Sequence, residues 1–298
     1  MRVTIIFLLS FLPLFGVYAK AINYQTVHDG VDNPGQLSAE LLIQEPKAAL
    51  VVLLHGCTQQ GLDFARLSGF EELAQKHKFN LLVLSQNPNN NVQNCFNWFS
   101  EIDNQKDQGE TLSIKNLIQT ASAKTSSQSV YLVGLSAGGA MVSNVISHYP
   151  EMFAGAAMIS GVPFPCASGL IQAIACMKNG PGNNFFDQHK MASSQLISNT
   201  VIISSVSDAV VNHKNSQAYV KAWLSAAVTA KQIQDSKNQK TNIQRWRSDE
   251  KSLHFVELEG LGHGFPVNAS VDGGGKPEAY FIDNEFSTSL YLVEVWRL

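Results

Sequence analysis

From residue 49 onward the chain alternates short apolar runs with amphipathic stretches. The runs at 49–54, 80–84, 130–133, 153–160, 201–205 and 253–258 lack the apolar–polar alternation of a strand with one wet face. They predict parallel strands covered on both sides. Between them, apolar residues at helical spacing predict helices over 66–76, 110–123, 137–148 and 218–230, and a closing helix over 287–296 with its apolar face turned inward. Strand and helix repeated in this order predict an α/β fold built on a doubly wound, mainly parallel sheet. The segments 87–94, 180–189 and 272–277 are rich in Gly, Asn and Pro and read as loops. No domain-sized segment separates them and no internal repeat is visible, so a single domain over 22–298 is expected.

The first residues fall outside that pattern. Met1-Arg2 leads into an apolar stretch that runs to about Tyr18 and ends at Ala19-Lys20-Ala21. A positive start, a short apolar core and small residues at its end are the order of a secretory signal peptide, cut after Ala19 or after Ala21. Pro13 and Gly16 inside a stretch barely long enough to span argue against an uncleaved anchor. No later segment is apolar enough to span, so the mature chain is expected to be free of the membrane, extracellular or periplasmic.

Composition narrows the partners. Hydrophobic residues make up 45% and charged residues 15% of the 298, and the formal charge is −3, which leaves no basic surface for nucleic acid. Four cysteines, Cys57, Cys95, Cys166 and Cys176, are an even number in a chain expected to be exported, so disulfides are expected; sequence alone allows three pairings. No cysteine or histidine spacing is that of a metal site, and neither metal nor cofactor is expected.

The chemistry is carried by Gly134-Leu135-Ser136-Ala137-Gly138. As a bare G-x-S-x-G pattern it is weak, arising by chance in roughly one chain in ten of this length. Here it directly follows the apolar run 130–133 and directly precedes a helical pattern, the strand, sharp turn and helix that expose a nucleophilic serine. A serine hydroxyl needs a base to take its proton and an acid to orient that base, and in this arrangement they follow in the order acid, then histidine. Asp208, just after the run 201–205, and His263, just after 253–258, stand at the carboxyl edge of the sheet, where ligands bind. His254 lies inside a strand and reads as structural, His213 is a surface histidine or substitute base, and His28, His77, His148 and His189 lack the edge position. Asp235 and Asp283 are poorer candidates for the acid. The oxyanion that forms on attack needs two backbone N–H donors. Ala137, following the nucleophile, supplies one, and Cys57, in the His55-Gly56-Cys57-Thr58 turn after the first long strand, is expected to supply the other.

Several motifs in register extend the picture. Leu54-His55-Gly56-Cys57-Thr58-Gln59, Asn94-Cys95-Phe96-Asn97-Trp98-Phe99, Gly134 to Met141, Gly161-Val162-Pro163 with Cys166-Ala167, and Gly262-His263-Gly264-Phe265-Pro266 resemble the polyhydroxybutyrate depolymerase-like esterase family. The likeness runs from about residue 40 to the carboxyl end. It implies an α/β-hydrolase fold and an extracellular serine carboxylesterase acting on polyhydroxyalkanoate esters or, in related branches, on acetyl or feruloyl groups of plant polysaccharides. Trp98 resembles a family position near the active site, although a large aromatic fits a core equally well. The chain departs from the family pattern at Phe96, at Leu84-Ser85-Gln86 and at Val206-Ser207, which leaves the chemistry intact and bears on the substrate pocket.

Cys166 and Cys176, close in sequence and flanking a short helix, are expected to pair. A Cys57–Cys95 bridge would tie the oxyanion loop to the segment carrying Trp98. The competing readings are a hydrolase-shaped binding protein without turnover, disfavoured because all three triad positions are filled, and a lipase or peptidase. With the sequence ending at its closing helix and no surface-binding module after it, good turnover of soluble short-chain esters or hydroxybutyrate oligomers and slow attack on solid polymer are expected.

Overall fold

A computed structural model describes residues 22–27, 30–182, 185 and 190–298. The expected signal peptide, His28 and His189 lie outside the described residues. Ten strands form one sheet, in the order β1 (Gln25–Thr26), β2 (Ser38–Leu42), β4 (Asn80–Ser85), β3 (Leu50–Leu54), β5 (Val130–Leu135), β6 (Gly155–Ile159), β7 (Asn199–Ser205), β10 (Lys251–Leu258), β9 (Thr241–Ser248) and β8 (Lys231–Lys237). From β4 to β10 the neighbours are parallel; β1, β2, β9 and β8 add antiparallel edges. Two short strands, β11 (Phe265–Val267) and β12 (Phe281–Asp283), pair apart from this sheet.

The central strands divide their side chains between two cores, as a sheet covered on both faces requires. In β3, Leu50, Val52 and Leu54 enter one core, while Val51 and Leu53 enter the other. Helices α3 (Gly109–Thr125), α4 (Ala137–His148) and α6 (Lys214–Ala226) close the first core with Leu117, Met141 and Trp223. Helices α1 (Gly61–Leu67), α2 (Phe70–His77) and α7 (Thr288–Trp296) close the second with Phe64, Phe70 and Leu292. A further helix, α5 (Leu170–Asn179), lies between β6 and β7 in the chain. No helix among the described residues is long and apolar enough to cross a membrane.

Three expectations need correction. The helix read over 66–76 is two helices, α1 and α2, broken at Gly69, whose φ of 89° suits glycine and whose missing Cβ makes room for the Gly273 carbonyl. The helix read over 218–230 starts four residues earlier, at Lys214, and ends at Ala226. Strands β2, β8 and β9 were not visible as apolar runs. The first, Ser-Ala-Glu-Leu-Leu, mixes polar with apolar residues, and the other two are polar strands, Lys-Gln-Ile-Gln-Asp-Ser-Lys and Thr-Asn-Ile-Gln-Arg-Trp-Arg-Ser, paired antiparallel, with β8 at the edge of the sheet and β9 beside it.

Strand β3 is followed by its neighbour β4, after which the chain returns to the other side of β3 as β5. The connections after β3 and β5 therefore diverge at the carboxyl edge, opening the crevice in which open α/β sheets bind ligands.

Candidate active site

Ser136 sits on the turn from β5 into α4 with φ 55° and ψ −117°, a conformation that costs a non-glycine residue about 1–3 kcal/mol. The surroundings hold it there. Its amide donates to the Ile159 carbonyl at 2.9 Å and its carbonyl accepts from the Ala140 amide at 2.9 Å. The glycines of the turn are required by space: a Cβ on Gly134 would strike the Gly138 carbonyl, and one on Gly138 would strike the Leu54 carbonyl.

The turn presents the Ser136 hydroxyl to His263. Oγ lies 2.8 Å from Nε2 of His263, and the opposite ring nitrogen, Nδ1, lies 2.7 Å from Oδ2 of Asp208. With the carboxylate accepting from Nδ1–H, Nε2 is free to accept from the serine hydroxyl. The other Asp208 oxygen, Oδ1, accepts from the amides of Val210 and Val211, both at 2.9 Å. Burial works to raise the Asp208 carboxyl, but the hydrogen bond and charge of His263, with the two amides, outweigh it and hold the group below the ordinary carboxylate range. The loops bearing acid and base are tied together, since Ser205 Oγ donates to the Leu261 carbonyl at 2.6 Å and the Val206 amide to the Leu258 carbonyl at 3.0 Å.

The rival residues are engaged elsewhere. His213 has both ring nitrogens occupied, Nδ1 at 2.8 Å from Ser204 Oγ and Nε2 at 2.9 Å from Glu257. His254 meets the Tyr291 hydroxyl at 2.8 Å, and burial, with Arg245 and Arg247 nearby, pushes it down to about 4. His148 Nε2 lies 2.8 Å from the Asn104 carbonyl oxygen. His77 lies at the end of α2. Asp235 accepts from Gln232 on β8, and Asp283 from the Ala269 amide.

A cavity of about 310 Å³ opens onto Ser136, and Cys57 and Ala137 line it as well. The Ala137 amide is in the first turn of α4, where an N–H has no carbonyl of its own helix to meet, and no acceptor among the described residues takes the Cys57 amide. Apart from Asn91 and Gln93 the rest of the wall is apolar, and it carries no charged side chain, with Trp98, Val162, Leu170 and Met177 among its members. Trp98 is 7% exposed, so it serves the core, edge-on to Phe99, as well as the cavity wall. Cys57 is bonded to Cys95, with Cα atoms 4.2 Å apart, and Cys166 to Cys176, 6.3 Å apart. The second bridge fastens α5, which supplies Leu170, Ala173 and Met177 to the cavity.

Beneath the His55-Gly56-Cys57-Thr58 turn lies a buried series of hydrogen bonds. His55, fully buried, is pushed down to about 4 by that burial, against a hydrogen bond to the Gly56 carbonyl. Its Nδ1–H donates to that carbonyl at 2.7 Å and its Nε2 accepts from the Gln86 amide at 3.1 Å. Behind Gln86 lies Glu110, 1% exposed. Burial pushes its carboxyl up to about 7, opposed by hydrogen bonds from Gln86 and Asn97 and helped by the charge of Asp103. A lone acid at a helix start ordinarily reads as an exposed group favoured by the helix dipole, so nothing in the sequence signalled its burial.

A family model described as esterase PHB depolymerase matches residues 42–238. Poly(3-hydroxyalkanoate) depolymerase C of Paucimonas lemoignei is 40% identical over 153 residues, covering 50% of this chain and 37% of that protein. Feruloyl esterase B of Talaromyces stipitatus is 28% identical over 185 residues, 60% of this chain and 50% of that one. The chain thus spans half or less of the length of these relatives. Among solved structures, the acetyl xylan esterase of Aspergillus awamori superposes with a TM-score of 0.65 at 19% identity, over 81% of this chain and 94% of that one. The poly(3-hydroxybutyrate) depolymerase LpqC of Bordetella parapertussis gives 0.54 at 15% identity, over 82% and 85%. These two likenesses are of the α/β-hydrolase fold.

Proposed function

The chain belongs to the esterase PHB depolymerase family, and from that premise we propose that it is a secreted serine carboxylesterase cleaving short-chain hydroxyalkanoate esters or oligomers through Ser136, His263 and Asp208. The observation that carries this reading is the unbroken series of hydrogen bonds from Asp208 through His263 to Ser136, ending at an apolar cavity. As Ser136 Oγ attacks the ester carbonyl, His263 Nε2 takes its proton and the carbonyl oxygen becomes an oxyanion between the amides of Cys57 and Ala137. His263 then gives that proton to the departing alkoxide, leaving an acyl group on Ser136. Water, deprotonated by the same histidine, releases the acid.

An uncharged apolar wall favours an uncharged acyl group, and a cavity of about 310 Å³ holds a short chain with room to spare. Residues 22–298 would act as one catalytic domain exported behind the signal peptide, and two disulfides suit an oxidising compartment. A second reading, an acetyl or feruloyl ester of plant polysaccharide as substrate, is supported by the names of other relatives. The test is a panel on purified protein: p-nitrophenyl butyrate, 3-hydroxybutyrate dimer, methyl ferulate and acetylated xylan. A kcat/KM for the butyrate ester and the dimer at least about tenfold above the other two is expected, the scale that pocket complementarity supplies. The reverse order establishes the second reading, and hydrolysis of none of them removes the esterase assignment.

A further inference from the structure

We propose that Glu110 is the positioning residue for the oxyanion amide of Cys57, acting through Gln86, Asn97 and the Cys57–Cys95 disulfide. The inference rests on the esterase reading for the meaning of that amide, but its structural part stands by itself.

Glu110 lies in the first turn of α3, and the bonds its carboxylate makes, to Gln86 and Asn97, lead back toward the Cys57 turn. Oε1 accepts from Gln86 Nε2 at 2.5 Å and from Asn97 Nδ2 at 2.7 Å, and Oε2 accepts from the Asn97 amide at 2.8 Å. Gln86 Nε2 also donates to the Cys95 carbonyl at 2.9 Å. The carboxylate therefore holds the backbone just after Cys95 directly and the Cys95 carbonyl through Gln86, and the sulfur of Cys95 is bonded to Cys57. From the other direction the Gln86 amide donates to His55 Nε2, His55 donates to the Gly56 carbonyl, and the Gly56 amide donates to Gln59 Oε1 at 2.8 Å. The Thr58 amide completes the ring by donating to the Gln93 carbonyl at 2.6 Å. Cys57 stands between Gly56 and Thr58, held on both sides, while no acceptor among the described residues takes its own amide.

Service to the helix dipole does not account for this arrangement. An acid in the first turn of α3 would favour the dipole equally well from the surface, whereas burying a carboxylate costs several kcal/mol unless its oxygens are satisfied. The surroundings present three donors, which the group answers with acceptors alone once ionised, above about pH 7. Glutamine at this position would turn an NH2 group toward either Asn97 or Gln86 and set donor against donor. Asp103, the charged neighbour, takes the Glu110 amide at 3.1 Å and contributes no donor to the carboxylate.

The experiment is Glu110→Gln in the full chain, read by amide hydrogen exchange and by kinetics on p-nitrophenyl butyrate. Exchange at Thr58 and Gln59 should quicken at least about tenfold while strands β6 and β7 keep their wild-type rates, as expected of a local opening. The kcat should fall about 10- to 100-fold, part of the loss seen when an oxyanion donor is removed, with KM within about threefold of wild type. A folded Glu110→Gln protein with wild-type exchange over residues 56–60, or with wild-type kcat, overturns the inference and leaves the esterase reading standing. If that variant does not fold, Asn97→Ala, which deletes one donor, is judged by the same two readouts. Absence of hydrolysis by the wild-type chain overturns the esterase reading instead, and the exchange data still decide whether Glu110 holds the Cys57 segment.

Discussion

Asp208 shows how much a single carboxylate is asked to do. One oxygen is committed to the amides of Val210 and Val211, and the other to His263. An asparagine there could keep the two amides only by placing its carbonyl oxygen on them, which leaves NH2 facing His263 and reverses the tautomer the histidine needs. We expect Asp208→Asn to fold normally and lose on the order of 10⁴-fold in kcat; a loss under tenfold in steady-state assays would mean that His263 does not depend on this acid for its orientation. Gly138 is constrained by space alone. A Cβ would meet the carbonyls of both Leu54 and His55, so Gly138→Ala should cost about 1–3 kcal/mol in urea unfolding and displace the oxyanion turn. Wild-type stability with wild-type activity would show that the turn yields. That Ser136, Asp208 and His263 come together was legible in the sequence because chain order and the strand-to-loop position restrict the choice to a few residues. Glu110 was not, because its burial comes from the loop 86–97 folding over it, which no local pattern encodes.

At the scale of elements, the parallel strands could be read because burial on both faces leaves an unbroken apolar run. The polar strands β8, at the sheet edge, and β9, beside it, could not, since a strand with few apolar residues has the composition of a loop. Helix α5, noticed in the sequence only as a short helix between two cysteines, is an element of the cavity. Leu170, Ala173 and Met177 face the cavity, while Ile171 is 85% exposed on the outer side. The helix is only ten residues long, and the Cys166–Cys176 bridge fastens it to the segment before it. Replacing both cysteines by serine should loosen that wall without touching the reacting groups. The expected outcome is a KM for p-nitrophenyl butyrate raised about three- to tenfold with kcat within about twofold. A fall in kcat at unchanged KM would place the effect of this bridge on the chemistry rather than on the wall.

For the whole molecule, buried ionisable groups set how stability depends on pH. His55 and His254 are both pushed from 6.5 down to about 4 in the folded chain. Between those values the unfolded chain binds protons that the folded chain refuses, so stability is fully present above 6.5 and is lost as pH falls toward 4, by about 3 kcal/mol per histidine. Glu110 works in the opposite sense: raised from 4.5 to about 7, it favours the fold at low pH and loses that contribution as pH rises. His148, also lowered by burial, adds to the two histidines, so stability should rise on balance from pH 4 to 6.5, measurable by urea unfolding across that range. Constant stability there would show that these histidines reach water. Hydrolysis turns on one group, the Ser136 hydroxyl, and the deciding measurement is the kcat of Ser136→Ala on p-nitrophenyl butyrate beside wild type, with circular dichroism to show that both are folded. A loss on the order of 10⁴-fold or more is predicted; a folded Ser136→Ala protein retaining about a tenth of wild-type activity would contradict it.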